Sequence, residues 1–309
     1  MSHSRFWALT CFFNPHGYAS RLANYREFRA RLRVPLVTVE LSFGATFTLR
    51  DAEAERVLRV RGGDVMWQKE RLLNIGIGHL PPDCESVAIL DCDIVFGRAD
   101  WVADTARALS RAQAVQLFSD AHFLRRGAEY TLDSNGAGRQ RSCVAGFREG
   151  REPAECLGSS GDDGRGAYSP GLAWAMRREW LCEFQLFDRC VIGGGDTALA
   201  GALLGIPEIV EARHRMNEAQ RRCYRAWADP LMRRVRGEVT SLEGDLYHLW
   251  HGDLADRSAS SRHTELARHA FDPYVDVAQG EEGALRWASP KPEMHRMLRN
   301  YFAARREDG

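Results

Sequence analysis

The N-terminal segment constrains the fold most, because an amphipathic stretch separates two apolar runs. Phe6–Phe13 is almost wholly apolar and ends at Asn14-Pro15, which predicts a buried strand that stops at a loop. Ser20–Arg33 carries hydrophobic side chains at helical spacing with arginines opposite them, and Val34–Leu41 is a second strand-like run. A strand, a helix and a strand within about 35 residues form a βαβ unit, so we expect a parallel sheet covered by helices.

The same alternation continues along the chain. Further helices are predicted at Met66–Ile77 and Trp101–Arg111, and further strands at Val87–Phe96, Ala114–Phe118, Gly171–Met176 and Val239–His251. The tail from Thr264 is charged and has a helical pattern. We therefore predict an α/β fold with a Rossmann-like, mostly parallel sheet flanked by helices. One domain would span residues 1–262, and a helical C-terminal extension would span 263–309 and pack on it.

The segment Gly127–Gly166 interrupts the alternation. Glycine, serine and arginine dominate it, and no apolar period is present. A loop of this length in a compact domain is usually functional or disordered. Two interpretations therefore stay open, a flap that faces the substrate and a disordered segment.

Charge and composition point away from two classes of partner. Lys plus Arg and Asp plus Glu each number 42, so nothing in the balance indicates nucleic acid or an anionic membrane. Arginines are locally dense in Arg21–Arg33, Arg125–Arg151 and Arg213–Arg236, which indicates either solvated faces or phosphate binding. The sequence has no signal peptide, no apolar run of transmembrane length and no CxxC among its cysteines. We expect a cytoplasmic protein without an integral membrane segment.

A pair of aspartates follows the apolar run Val87–Leu90. In an extended chain Asp91 and Asp93 point to the same side, and open parallel sheets bind ligands at the carboxyl ends of their strands. Two carboxylates this close repel each other unless a cation or a donor compensates them. A divalent ion shared with diphosphate oxygens meets that need, so we expect a metal and phosphate site here. The alternative is a pair of turn residues, but the apolar Ile94–Phe96 follows at once.

The same aspartates also fit a second class of enzyme. Asp91-Cys-Asp-Ile-Val95 matches the Asp-x-Asp-x-Thr/Val motif of haloacid-dehalogenase-type phosphatases, in which the first aspartate is the nucleophile. That motif normally opens the chain, whereas two predicted strands and two predicted helices precede it here. Only one aspartate, Asp196, stands in the downstream segment that would supply the acidic motif. A phosphatase with Asp91 as nucleophile therefore remains an alternative.

Two histidines follow the last predicted strand, at His248 and His251. A single histidine is more often a core residue than a ligand, but two at this spacing before Gly252 favour a metal site. Together with Asp93 they would form a mixed oxygen and nitrogen set, which suits Mn²⁺ better than Mg²⁺.

A third motif is the turn Gly193-Gly-Gly-Asp196, which opens an apolar helix. Asp196 could cap the helix, or it could act as a general base that takes a proton from an acceptor hydroxyl. The glycines would let a substrate approach closely. Trp174 lies near these motifs and is the tryptophan that we expect to line an acceptor site, although tryptophans usually belong to the core.

In this order the motifs resemble those of GT-A-fold glycosyltransferases, and most closely the family-2-like and β-1,4-galactosyltransferase groups. The latter carry a Gly-Gly-acid-acid segment and a late Met-x-x-His, which are similar to Gly194-Gly-Asp196 and His248–His251. Here Thr197 replaces the second acid, and His248 stands in place of the Met.

The resemblance implies roles for particular residues. Asp93 would bind Mn²⁺ or Mg²⁺ with help from His248 and His251, and Asp196 would be the catalytic base of an inverting transfer. The other residues that it implies for donor binding are Asn14, Pro15, Glu40, Lys69 and Asp91. The implied partners are a nucleotide-sugar, such as a UDP-sugar, and an acceptor hydroxyl. A non-enzymatic nucleotide- or carbohydrate-binding protein that keeps the fold is a further alternative.

Overall fold

The computed structural model describes residues 5–128, 138–157, 166–253, 256 and 261–309. The strands in these ranges are β1 (Phe6–Phe13), β2 (Leu36–Ser42), β3 (Arg56–Arg61), β4 (Ser86–Leu90), β5 (Ile94–Phe96), β6 (Ala114–Gln116), β7 (Asp120–Phe123), β8 (Gly138–Ser142), β9 (Tyr168–Ser169), β10 (Ala173–Arg177), β11 (Val239–Ser241), β12 (Asp245–His248), β13 (Val277–Gln279) and β14 (Leu285–Trp287). The helices are α1 (Ala19–Arg31), α2 (Lys69–Ile77), α3 (Trp101–Leu109), α4 (Cys143–Arg148), α5 (Pro153–Cys156), α6 (Arg178–Phe184), α7 (Gly195–Leu203), α8 (Pro207–Arg213), α9 (Glu218–Val235), α10 (Arg262–Ala267) and α11 (Pro292–Ala304).

The larger sheet is mostly parallel, as predicted. In the described residues its order is β11-β6-β10-β4-β1-β2-β3, and only β10 runs antiparallel to its neighbours. Strands β1, β2 and β4 are buried along almost their whole length because both faces of the sheet are covered. One hydrophobic cluster lies on each face, and the α/β fold follows from this strand order.

A second sheet has the order β5-β12-β7-β8-β9. The chain leaves the larger sheet at Leu90 and enters the second one at Ile94, so the prediction of one strand over Val87–Phe96 is wrong. Asp91, Cys92 and Asp93 form the junction between the two sheets. The predicted strand over Val239–His251 is likewise divided, because β11 belongs to the larger sheet and β12 to the smaller one.

The segment Gly127–Gly166 is more regular than predicted. Its described part contains β8, α4 and α5, in which Ser142 caps α4 by accepting a hydrogen bond from the Ala145 amide. Residues 129–137 and 158–165 of the predicted flap lie outside the described residues. The edge strand β3 is a further element that the sequence did not predict.

The C-terminal tail packs on the same core as the larger sheet. Side chains of α11 and of the β13–β14 hairpin, including Leu285, Met294 and Phe302, belong to the hydrophobic cluster that contains β1 and β2. The hairpin shows that the tail is not only helical. That residues 263–309 form an extension distinct from the domain remains a prediction, and so does the cytoplasmic location. Among the described helices, none combines the length and the apolar character that crossing a membrane requires.

Candidate active site

A cleft with a volume of about 260 Å³ opens at the carboxyl ends of β1 and β4. Its walls come from both sheets, from the Gly194–Thr197 turn and from the C-terminal tail. The charged residues that line it are Arg21, Lys69, Asp91, Asp93, Asp196, Arg213, His248, His251, Arg262 and Arg305. Both predicted aspartates of the junction, both predicted histidines and the predicted base therefore meet in one cavity.

Asp93, His248 and His251 converge at one end of the cleft. Nε2 of His251 lies 3.0 Å from Oδ2 of Asp93, and Nε2 of His248 lies 3.8 Å from Oδ1 of Asp93. The two Nε2 atoms are 3.3 Å apart, and one ligand atom from each of the three residues lies within 4.8 Å of the others. All three residues are buried.

Strand pairing explains why these residues meet. β12 pairs with β5 so that His248 stands opposite Ile94, the residue after Asp93. The amide of Leu249 donates to the carbonyl oxygen of Asp93 at 2.8 Å, which holds the two chain segments together just beyond the strands. The hydrogen-bonded backbone therefore fixes the relative positions of Asp93 and the two histidines.

The donor set at this end of the cleft fits a divalent cation. Oδ1 of Asp93 is buried and accepts no hydrogen bond within the described residues, which is costly for an ionised carboxylate without a cation. Burial opposes the charge on Asp93, but His251, His248 and Arg21 outweigh it and hold the pKa of Asp93 well below its usual range. Two imidazole nitrogens and a carboxylate form a ligand set found in transition-metal sites.

Asp91 does not belong to this set of possible metal ligands. It lies on Lys69, which also contacts Asp196. Nζ of Lys69 lies 2.5 Å from Oδ1 of Asp91 and 2.8 Å and 2.9 Å from the two carboxylate oxygens of Asp196. The Lys69 side chain is only 9% exposed. Burial lowers the pKa of Lys69, but Asp196 and Asp91 outweigh it and raise this pKa well above its ordinary value.

A third carboxyl group, Glu70, lies behind this ion pair. It is buried, its Oε1 has no hydrogen-bond partner within the described residues, and it lies against the backbone of Gly195. Burial raises the pKa of Glu70 to about 8 and that of Asp91 to about 7, although Lys69 opposes both shifts. Both carboxyl groups therefore hold a proton more readily than an exposed carboxyl group does.

The glycine turn before α7 brings Asp196 into the cleft. Gly193 and Gly194 have φ angles of +88° and +100°, which L-residues with side chains rarely adopt. Gly194 is the N-cap of α7, so Asp196 does not cap this helix, and its role as a general base stays a prediction. Asp196 instead lies in the first turn with its carboxylate on Lys69. A substrate hydroxyl would have to compete with that ammonium group for Asp196.

Four residues that were predicted to bind a substrate do not line the cleft. Trp174 is 2% exposed and donates to the carbonyl oxygen of Pro170, so it is a core residue. The carboxylate of Glu40 is buried and accepts hydrogen bonds from the amides that follow Phe47. Asn14 bonds both the N–H and the carbonyl of Tyr18 and closes the turn that contains Pro15. Side chains that satisfy the local backbone in this way are not available to a ligand in the cleft.

Sequence reasoning missed most of the cations of the site and the carboxyl groups of Glu70 and Glu307. Arg21 and Arg213 begin two of the arginine-dense stretches, so the phosphate-binding interpretation of those stretches was the available signal. Arg305 and Glu307 stand in a charged tail that resembles a solvated one in sequence. Glu307 is nevertheless buried, with Arg21 at 3.0 Å and Arg305 at 2.6 Å.

No protein-family model matches the sequence, and a comparison with curated proteins gives no match. Solved structures do show similarity. Glucosyl-3-phosphoglycerate synthase from Mycobacterium tuberculosis is 14% identical over 91% of this chain and 86% of its own, with a TM-score of 0.41. Drosophila β1,4-galactosyltransferase 7 is 10% identical over 92% of each chain, with a TM-score of 0.39. 4-Diphosphocytidyl-2C-methyl-D-erythritol synthase from Anaerococcus prevotii is 12% identical over 78% of this chain and 90% of its own, with a TM-score of 0.34.

Proposed function

We propose that this protein is a metal-dependent glycosyltransferase that moves a sugar from a nucleotide-sugar, such as a UDP-sugar, to an acceptor hydroxyl. One observation carries the proposal. Asp93, His248 and His251 converge at one end of a cleft in which the carboxylate of Asp196 stands beside a glycine turn. A cation site and a carboxylate in one cavity at the ends of parallel strands are what such a transfer needs.

Asp93, His248 and His251 would hold the cation, and their mixed ligand set favours Mn²⁺ over Mg²⁺. A divalent ion bound there supplies positive charge to a diphosphate leaving group. The chain adds its own cations to the same cleft. Arg21 and Arg305 both contact Glu307, and both line the cleft together with the metal ligands. These groups would orient the phosphates of the donor and keep them in place when the bond to the sugar breaks.

Asp196 would accept the proton of the acceptor hydroxyl. The glycine turn before it brings the carboxylate into the cleft, and Lys69 fixes the orientation of this carboxylate from the side of Asp91. When a hydroxyl replaces Lys69 at one oxygen of Asp196, attack on the anomeric carbon from the face opposite the leaving group would invert its configuration. Lys69 keeps Asp91 as its partner in that arrangement.

A donor screen tests the proposal. Nucleotide release from UDP-, GDP-, ADP- and CDP-sugars would be measured with Mn²⁺ and with a chelator. We expect turnover of at least one donor with Mn²⁺, and a loss of about 100-fold or more in Asp93→Asn, in which one metal ligand is weakened. Asp83→Asn is the matched control, because it neutralises an exposed carboxylate before the opposite end of β4. Metal-dependent turnover that persists unchanged in Asp93→Asn would contradict the proposal.

The same screen separates the two alternatives. A phosphatase with Asp91 as nucleophile would cleave a generic phosphomonoester and leave nucleotide-sugars intact. A binding protein without activity would bind a nucleotide-sugar in calorimetry and release no nucleotide.

A further inference from the structure

Two Arg-His dipeptides meet beside the cleft. Arg213 and His214 stand at the end of α8, and Arg262 and His263 stand at the beginning of α10. The imidazole rings of His214 and His263 are stacked, with centroids 4.1 Å apart and planes 9° from parallel. Burial lowers the pKa of His214 to about 3, and burial together with His214 lowers the pKa of His263 well below its ordinary value. The stack is therefore neutral at physiological pH, and it joins the two segments that carry the arginines.

The two arginines next to the stack have no carboxylate partner in the described part of the chain. Both line the cleft, and within the described residues neither forms an ion pair with a carboxylate. Nη1 of Arg262 donates to the hydroxyl oxygen of Tyr301 at 3.0 Å, while its buried Nε has no partner in the described part of the chain. Burial and the positive charge of Arg262 lower the pKa of Arg213.

The other cations of the cleft differ in this respect. Lys69 is held by two aspartates, and both Arg21 and Arg305 contact Glu307. Keeping two like charges close together in a partly buried place is unfavourable unless a ligand compensates them. The Arg213 and Arg262 pair is thus the part of the described cleft that lacks negative charge.

The glycine turn before the proposed base packs against Arg262 and against His214, the residue after Arg213. A methyl group at Gly194 would lie 2.7 Å from Cε1 of His214, and one at Gly193 would lie 3.1 Å from Nη1 of Arg262. The turn therefore rests directly on the Arg-His layer, and Asp196 follows two residues after Gly194. The metal ligands lie on other segments, at the end of β12 and at the junction between the sheets.

We propose that Arg213 and Arg262 bind an anionic group, a phosphate or a carboxylate, that the acceptor carries. This inference rests on the proposed transfer and names the class of its acceptor, a hydroxyl compound with a negative charge near the reacting oxygen. Guanidinium groups suit both anions because their planar N–H donors match two oxygens at once. The packing of the glycine turn on this layer favours the acceptor, because Asp196 follows that turn and the diphosphate of the donor would belong at the cation site.

Calorimetry with inorganic phosphate tests the binding site itself. Phosphate would be titrated into the protein alone and into the protein saturated with Mn²⁺ and UDP. We expect binding in both cases, and an affinity at least about tenfold lower in Arg213→Gln and Arg262→Gln, the loss that follows when charge-assisted hydrogen bonds are removed. Arg234→Gln, which removes an exposed arginine from the last turn of α9, should leave phosphate affinity unchanged.

The outcomes separate this inference from the proposed function. Equal phosphate affinity in wild type and in both cleft variants would overturn it, and so would exclusion of phosphate by Mn²⁺ and UDP, which would assign the arginines to the donor. Failure of the wild type to bind UDP with Mn²⁺ would instead contradict the proposed function, while the titration without UDP still tests the arginines. With an active donor, glycerol, glycerol 3-phosphate and glycerate would be compared as acceptors, and we expect turnover only with the anionic ones. A preference for glycerol would contradict the inference.

Discussion

Nδ1 of His251 lies 3.5 Å from Oε1 of Glu307, and the other ring nitrogen of His251 faces Asp93. Glu307 is buried between Arg21 and Arg305. Burial opposes the charge on Glu307, but the two arginines and His251 outweigh it and hold the pKa of Glu307 well below its usual range. A carboxylate behind a metal-binding histidine fixes the orientation of the ring and strengthens it as a ligand. The C-terminal segment therefore contributes to the candidate metal site.

Replacing Glu307 should weaken the metal site without removing a ligand. In Glu307→Gln we expect the affinity for Mn²⁺ to fall about 10- to 100-fold, the usual effect of losing such a supporting carboxylate. Calorimetric titration with Mn²⁺ measures it, and Glu183→Gln, which changes an exposed carboxylate, is the control. Unchanged Mn²⁺ affinity in Glu307→Gln would show that Glu307 does not support His251.

Gly252 permits the close approach of the same segment. Its φ is +82°, and a methyl group there would lie 2.6 Å from the carbonyl oxygen of Arg305 and 3.1 Å from Cα of Glu307. We expect Gly252→Ala to lower the free energy of unfolding by about 1–3 kcal/mol, and to lower Mn²⁺ affinity as well. Gly237→Ala is the matched control, because Gly237 has a φ of +74° and open space around it. Denaturant unfolding that gives equal losses for both variants would show that the contact with the tail is unimportant.

The local pattern of apolar residues predicted the buried central strands of the fold. The apolar runs of β1 and β2 were recognised because central parallel strands bury both faces. Strand β3 was missed because its three arginines interrupt the apolar residues without a regular period of two. The break between β4 and β5 was missed because both segments are apolar, and an apolar pattern does not show that the chain changes sheets.

The residues of the candidate site also fall into two groups, those that the local sequence indicates and those that only the folded chain brings together. Asp93, His248, His251 and Asp196 were found because residue type, spacing and strand ends indicate their chemistry. Trp174 was misplaced because its residue type fits a sugar-stacking surface as well as a core. Glu307 could not be found, since its partner Arg21 is 286 residues away in the sequence and only the folded chain brings them together.

Glu70 should make stability depend on pH. Its pKa is about 8 in the folded protein against an ordinary 4.5, because burial disfavours the charged form. The folded state therefore keeps a proton that the unfolded chain releases, so the contribution of Glu70 to stability falls as pH rises from about 5 to 8. In Glu70→Gln this fall should be absent, and urea unfolding at pH 5.5 and 8 measures it. If wild type and Glu70→Gln differ in stability by the same amount at both pH values, the raised pKa of Glu70 is contradicted.

Asp196 should affect transfer and not donor binding. In Asp196→Asn we expect transfer to slow at least about 100-fold, the scale of losing a general base, with the donor Kd unchanged. Asp91→Asn is the informative comparison, because it removes the other carboxylate partner of Lys69 but no proposed base. Single-turnover transfer and donor titration measure the two effects. Equal losses of transfer in both variants would assign the effect to the Lys69 ion pairs, and loss of donor binding in Asp196→Asn would place Asp196 in the donor site.

We propose that Asp93, His248 and His251 bind the metal of a nucleotide-sugar transferase. Anomalous diffraction from crystals grown with Mn²⁺ and UDP tests it most directly. We expect one strong manganese peak at about 2.0–2.3 Å from a carboxylate oxygen of Asp93 and from a ring nitrogen of each histidine, next to density for the diphosphate. A manganese peak between Asp91 and Asp196, or none within reach of Asp93, would contradict the claim.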